Sequence, residues 1–337
     1  MSNKINSFDE ALHIYQSKVK DGKCDEDIKL SESLALELVD QMTYREKATM
    51  LRGHWAFIEQ FIKSGGRSYN AYPIEGGGCK RLGIPTIKFT DGPRGVIMGK
   101  STCFPTSNVR AASFDRNLEY QIGTAIAKES IAQGANYFAG ICINLPRNPR
   151  WGRAKESYGE DSYMLGQMGA QLTKACQEHG VIACPKHFAM NSMENLRFKI
   201  NVQADEETLR DVYLPHFKDC IDAGAQSIMG AYNMVKGTYC CDSKYLLKDI
   251  LRDEWNFKGF TITDFIWGVH APVKSLKNGM DVEMPFTLKR GFIGFSLKKD
   301  KEADRAAIES CKLITATLLR TQGLYRKQKY DLSVVAF

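Results

Sequence analysis

No apolar run in this 337-residue chain approaches the roughly 18 residues that a bilayer-spanning helix requires. The N-terminus also lacks a signal-peptide core, because Asp9, Glu10, Lys18, Lys20 and Asp21 fall where an apolar stretch would lie. Both absences predict a cytoplasmic protein with no membrane partner. The ten cysteines form no C-x-x-C pair and no repeated spacing, so reduced thiols and no zinc or other metal are expected. Cys142, Cys184 and Cys220 sit inside apolar runs, as small buried hydrophobes do. Cys240 and Cys241 are adjacent, which is poor geometry for a mutual disulfide. Low-complexity tracts and Pro/Ser-rich linkers are missing as well, so a single domain is predicted.

The net charge of +7 is the one compositional hint of a nucleic-acid partner. It fails on patterning. The densest basic stretch, Lys298, Lys299, Lys301 and Arg305, is interrupted by Asp300, Glu302 and Asp304 and reads as a solvated face.

Residues 1–33 read as a helical leading segment, with a clearer helix starting near Ser33 on Leu34, Leu36, Leu38, Val39 and Met42. From residue 84 a rhythm appears. Apolar runs at 84–90, 139–144, 181–184, 226–232, 260–263 and 281–284 have the length of buried parallel strands. Amphipathic segments separate them. One places Leu209, Val212, Tyr213, Phe217, Cys220 and Ile221 on a common face, with a cap near Asp205, a stop at Gly224 and an expected kink at Pro215. Another runs through Leu246, Leu247, Ile250, Leu251 and Trp255, capped by Asp242 or Ser243.

Alternating strand and helix implies an α/β fold with a parallel sheet. An open nucleotide-binding sheet would want a glycine-rich turn after an early strand. Gly76-Gly77-Gly78 with Lys80 and Arg81 precedes a strand instead, and reads as a loop. The remaining architecture is a single-domain (β/α)8 TIM-like barrel spanning 34–325, followed by a tail at 326–337. Such a barrel needs roughly 250 residues.

Polar residues recur where the apolar runs end. Asp91 follows the first; Arg147, Arg150 and Arg153 follow the second; Lys186 and His187, then Tyr232 and Asn233, then Asp264 follow the next three. In a barrel these ends converge on one mouth. The residue types suit a sugar, whose vicinal hydroxyls both donate and accept: Asp91 accepts, while Arg153, Lys186 and His187 donate. A strand-end carboxylate such as Asp264 can also attack an anomeric carbon. Taken alone, Asp264 would read as a helix cap and Lys186-His187 as a surface pair.

These blocks resemble glycoside hydrolase family 3 over roughly 34–325. They are Asp91-Gly92-Pro93-Arg94-Gly95; Pro149-Arg150-Trp151-Gly152-Arg153 with Glu156-Ser157-Tyr158-Gly159-Glu160-Asp161; Pro185-Lys186-His187-Phe188; Ala231-Tyr232-Asn233; Thr263-Asp264-Phe265; and Gly279-Met280-Asp281-Val282-Glu283-Met284-Pro285. The resemblance implies Asp264 as the nucleophile of a retaining, exo-acting β-glycosidase, most simply a β-glucosidase. It implies that Asp91, Arg153, Lys186, His187, Met229 and Tyr232 hold the terminal sugar, with Phe265 beside the next one, and that no cofactor is needed.

Three departures from the family pattern shape the expectation. Thr263-Asp264-Phe265 replaces the usual Ser-Asp-Trp. The Lys-His-Phe-Pro-Gly-His-Gly loop of the hexosaminidase branch is replaced by Ala189-Met190-Asn191 after Phe188. The second domain that supplies the acid/base glutamate in two-domain members is not expected before Phe337. Glu194 is the first candidate acid on this chain, and a homo-oligomer or second subunit the alternative source. Other readings are a sugar-binding pseudoenzyme and a phosphorylase or transglycosylase. Arg147 or Arg150 is expected to pair with Glu156 or Glu160, and Asp281 or Glu283 to brace Lys186 or the barrel floor. Trp267 is divided between core and sugar platform, and His54, His179 and His270 read as surface or capping residues.

Overall fold

The computed structural model describes residues 4–22, 24–54, 62 and 71–328; most of the tail expected from 326 lies outside them. Six strands form one curled sheet: β1 (Ile74–Gly76), β2 (Ile87–Thr90), β3 (Tyr137–Cys142), β4 (Ile182–Phe188), β6 (Ser227–Gly230) and β9 (Phe260–Thr263), in the order β1-β2-β3-β4-β6-β9. A separate ribbon pairs β5 (Asn201–Val202), β7 (Met234–Val235) and β8 (Thr238–Tyr239). Isolated bridges continue the main sheet beyond both edges: Ile262 pairs with Val282, Arg52 with Glu283, and Gly53 with Gly76.

The sheet is mixed, which departs from the expected set of parallel strands. β1 runs antiparallel to β2, with Ile74 opposite Phe89, while β2 to β9 are parallel. The short, glycine-bearing Ile74-Glu75-Gly76 has too few apolar residues to read as a strand.

Both faces of the sheet are buried, as parallel strands require. Tyr137, Ala139, Ile182, Cys184, Met229, Phe260 and Ile262 join one cluster, and Phe138, Ile141, Ala183 and Ile228 join the other. Residues alternate between the two clusters along the strands, except in β3, where a register shift between Phe138 and Ile141 moves Ile141 to the second cluster. The first cluster also takes Phe8, Leu12 and Tyr15 from helix Phe8–Lys18, Leu34 and Leu38 from helix Asp25–Val39, and Leu318 and Leu319 from helix Lys301–Gln328. The helix predicted near Ser33 thus begins at Asp25. Helices Arg116–Ala132 and Ser162–Glu178 cover the other cluster.

Local signals act as their chemistry dictates. Asp205 accepts from the Thr208 amide, one helical stretch ends at Tyr213, and Pro215 opens the next helix, Pro215–Asp222. Ser243 accepts from the Leu246 amide at 3.2 Å to start the following helix. No described helix is long and apolar enough to cross a membrane.

Candidate active site

The ends of β2, β3, β4, β6 and β9 bring the predicted polar residues together. Asp91 leaves β2 in a tight loop where Gly92 has φ +128° and a side chain would meet the Gly95 carbonyl at 1.8 Å, so only glycine fits. The Asp91 Oδ1 accepts from the Gly92 amide at 2.7 Å and from Lys186 Nζ at 2.6 Å. Burial opposes the Lys186 charge most strongly, but the Asp91 carboxylate and other nearby groups together outweigh it and hold the ammonium above its usual range. The pair therefore persists as an ion pair, with Asp91 still partly open to solvent.

His187 is buried and neutral. Desolvation, reinforced by the Arg153 and Lys186 cations, pushes it well below the ordinary histidine range. Its Nδ1 lies 3.1 Å from Asn144 Oδ1, which also accepts the His187 amide at 2.9 Å. An amide oxygen cannot donate, so Nδ1 carries the proton. Nε2 is then the acceptor, and Arg153 donates to it at 2.9 Å. Arg153 also grips Glu156 at 2.7 Å. This corrects the expected pairing: Arg153, not Arg147 or Arg150, holds Glu156, and Arg147 lies over the Tyr213 ring.

Asp264 follows β9 and is 8% exposed. Its Oδ1 accepts the Phe265 amide at 2.7 Å. Its Oδ2 is buried with no hydrogen-bond partner. The nearest charged-type neighbour of Oδ2, His187 Nε2 at 3.5 Å, is itself an acceptor in this tautomer, so no ion pair forms. Desolvation raises the Asp264 pKa to about 6, against the lowering pull of Arg153 and Lys186. One oxygen is thus fixed, and the other, anionic at neutral pH, has no hydrogen-bond partner because the neighbouring Tyr232 hydroxyl is directed to the Phe265 carbonyl. That is what attack on carbon requires.

Tyr232 donates its hydroxyl to the Phe265 carbonyl, and burial together with Asp264 keeps the phenol protonated. Its ring meets Phe198 at 4.7 Å and lies 4.8 Å from the Arg197 guanidinium. Sequence reasoning missed Arg197, which also reaches Glu194 at 3.0 Å. The available signal was the Glu194–Arg197 spacing just beyond Lys186-His187.

The other predicted residues are less directly placed. Met229 is buried in β6 on the face shared with Cys184 and Tyr137. The half-buried Phe265 ring packs on Phe89 at 4.6 Å. Glu194 accepts from Trp151 Nε1 at 3.1 Å and from Arg197, so both of its oxygens are engaged. Trp267 is 54% exposed, which removes the core reading. Asp281 and Glu283 do not brace Lys186; they bind Arg252 and the Arg290 amide respectively. His179 donates to the Ala175 carbonyl, His54 does so to Gly77, and His270 stacks on Tyr239. Among the described residues, the cluster closest to a metal-ligand set is Asp21, Cys24 and Asp27, away from these strand ends; Asp27 already accepts three backbone amides.

Comparison with known proteins places the chain in a family. Residues 77–293 match the N-terminal domain model of glycosyl hydrolase family 3. A β-glucosidase of Kluyveromyces marxianus is 40% identical over 213 residues, 61% of this chain and 25% of that protein. Thermostable β-glucosidase B of Acetivibrio thermocellus is 35% identical over 264 residues, 74% of this chain and 32% of that protein. The structure of β-glucosidase 3B from Thermotoga neapolitana in complex with α-D-glucose superposes with a TM-score of 0.79 at 28% identity, covering 89% of this chain and 45% of that one. The chain therefore spans less than half the length of these relatives. Strand-end polar residues, their order along the sequence and the matched region converge on one assignment, and the chain belongs to glycosyl hydrolase family 3.

Proposed function

We propose that this chain carries the nucleophile and terminal-sugar subsite of a retaining, exo-acting β-glucosidase. The observation that supports it most is Asp264: Oδ1 is fixed by a backbone amide while Oδ2 is buried and unpartnered. Attack of Oδ2 on the anomeric carbon would form a covalent glycosyl-enzyme as the aglycone leaves with the bonding electron pair. Asp91, Lys186 and Arg153 would meet the sugar hydroxyls, while His187, which accepts from Arg153, and Tyr232, which donates to the Phe265 carbonyl, would line the subsite and orient these groups. Met229 would lie beneath the ring and Phe265 at the aglycone edge. The edge bridges support a further step in the fold reading: residues 52–53 and 282–283 close the curled sheet into a barrel of eight segments.

A second reading, an incomplete site, has its own support. Retaining chemistry needs a protonated carboxyl opposite the nucleophile. Glu156 is held by Arg153, and both oxygens of Glu194 already accept, so neither is free to give a proton to a leaving group. The acid would then come from another subunit or polypeptide segment. Incubation with a 2-deoxy-2-fluoro glucoside bearing a dinitrophenolate leaving group separates the two halves of the reaction, because this aglycone departs without a proton. A mass adduct on the peptide containing Asp264 is expected. An unlabelled chain, or a label elsewhere, would overturn the nucleophile assignment.

A further inference from the structure

Arg110 is 2% exposed and lies in the short helix Ser107–Ala111, in no motif recognised from the sequence. Its Nε and Nη2 meet the two oxygens of the fully buried Glu119 at 2.9 and 3.1 Å. Nη1 donates to the carbonyls of Pro93 and Pro105, both at 2.9 Å. Nη2 also reaches the Tyr158 hydroxyl at 3.3 Å, and that hydroxyl donates to Glu119 at 2.6 Å. Pro93 is two residues beyond Asp91, and Tyr158 is two residues beyond Glu156, the partner of Arg153. One guanidinium thus ties together the loop that carries Asp91 and the loop that carries Arg153 and its partner Glu156.

A buried ion pair is a poor device for stability alone, since apolar residues of similar volume often serve as well. Its geometry is what apolar residues cannot copy: carbonyl, carboxylate and hydroxyl groups from separate segments converge on one planar fork. Tight seating continues at β3, where a side chain at Gly140 would approach the Gly92 carbonyl to 2.4 Å.

We propose that Arg110, with Glu119 and Tyr158, is a positioning residue that fixes the separation of Asp91 from Arg153 and so sets the fit of the terminal sugar. This rests on the sugar-site reading above. Arg110→Lys keeps the charge but offers donors from a single atom. A displacement of about 1 Å at such a site can cost about a hundredfold. With aryl glucosides, kcat/KM should fall by at least about tenfold, equally for good and poor leaving groups, and inhibition by glucose should weaken in step. Tyr158→Phe, the milder change, should show the same pattern at smaller amplitude. Leu12→Ala, in the core of helix Phe8–Lys18, serves as a destabilised control and should keep wild-type kcat/KM.

Amide hydrogen exchange without substrate provides an independent measurement. The Gly95, Ile97 and Phe104 amides, which close the Asp91 loop, should exchange faster in Arg110→Lys while Leu12→Ala leaves them protected. Unchanged exchange there, or a loss of activity no greater than in a control of equal melting temperature, overturns the proposal. A wild-type chain that releases no nitrophenol would overturn the glucosidase reading instead, and the exchange result would still decide the positioning role.

Discussion

Asp264 and Asp281 are both buried aspartates in the same sheet region, and they are treated in opposite ways. Asp281 Oδ2 accepts from Arg252 at 2.6 Å and from the Thr261 amide and hydroxyl at 2.7 and 3.1 Å; Oδ1 accepts from Ser310 at 2.6 Å. Both of its oxygens are thus engaged. Asp264 has one amide on Oδ1 and nothing on Oδ2. Its nearby cations, Arg153 and Lys186, are committed to Glu156 and Asp91. A saturated carboxylate braces the fold, whereas an under-satisfied one stores the reactivity the proposed chemistry draws on.

Exchanging each aspartate for asparagine should break this comparison most visibly. Asp264→Asn should lower turnover of an aryl glucoside by about 10⁴-fold or more, since an amide cannot attack. It should also stabilise the fold at neutral pH. The sign follows from linkage: a carboxyl whose folded pKa is raised binds protons more tightly when folded, so its contribution is favourable below the unfolded value of 3.8 and is lost as pH rises through about 6. The distance between those values corresponds to about 3 kcal/mol. Asp281→Asn should do the reverse, costing about 3–5 kcal/mol by stranding Arg252, while molecules that remain folded turn over normally. Thermal melts of both variants check the contrast; destabilisation by Asp264→Asn would remove it.

The paired charges of the mouth should give intermediate effects. Asp91→Ala and Lys186→Ala each remove a charge-assisted hydrogen bond of about 1.5–3 kcal/mol. Such contacts strengthen as the sugar distorts, so kcat should fall along with affinity. A change below about twofold in kcat/KM, well under that energy, would place the residue outside the site.

The acidic limb of kcat/KM should lie near pH 6, with activity lost as Asp264 protonates below it. Arg153→Met removes the largest of the groups that lower this pKa, so the limb should move to higher pH. A pH profile over the range from about 4 to about 9 reads both; an unmoved limb would detach Arg153 from the nucleophile.

Much of this was legible in the sequence because burial on both faces leaves an uninterrupted apolar run. The run at 260–263 is β9 itself, and the 84–90 run contains β2. Asp264 could be read because it abuts such a run, and Lys186 and His187 because they lie just beyond one, although the strand itself continues through them to Phe188. What was not legible depends on long-range geometry. β1 pairs antiparallel through a three-residue segment with little apolar signal, and Val282 joins the sheet by a single bridge. Arg197 reaches Tyr232 only because the chain after β4 folds back over the mouth, and Arg110 gathers partners as far apart as Pro93 and Tyr158. The Glu194–Arg197 spacing marks a local pair but not the contact with Tyr232, and Arg110 has no local pattern at all. The sequence points Glu156 to the wrong arginine because Arg153, which holds it, reads equally well as a free sugar donor.

The finest contrast lies between Phe265 and Trp267, two residues apart on the loop after β9. The sequence pattern favours Phe265 as the platform for the second sugar, yet its ring is tilted against Phe89, whereas Trp267 stands 54% exposed. An exposed indole offers a free face for CH–π contact, and an aromatic contact of this kind contributes about 0.5–1.5 kcal/mol. Trp267→Ala should therefore weaken inhibition by cellobiose by about two- to tenfold, the range that energy implies, and leave inhibition by glucose unchanged. Phe265→Ala should lower both affinities together with the melting temperature, because it removes the ring that Phe89 packs against. Inhibition constants for the two sugars, measured against the same aryl glucoside, separate the roles without requiring an acid catalyst. If Phe265→Ala affected cellobiose alone at an unchanged melting temperature, the platform would be Phe265 and the exposed indole would have no part in the aglycone site.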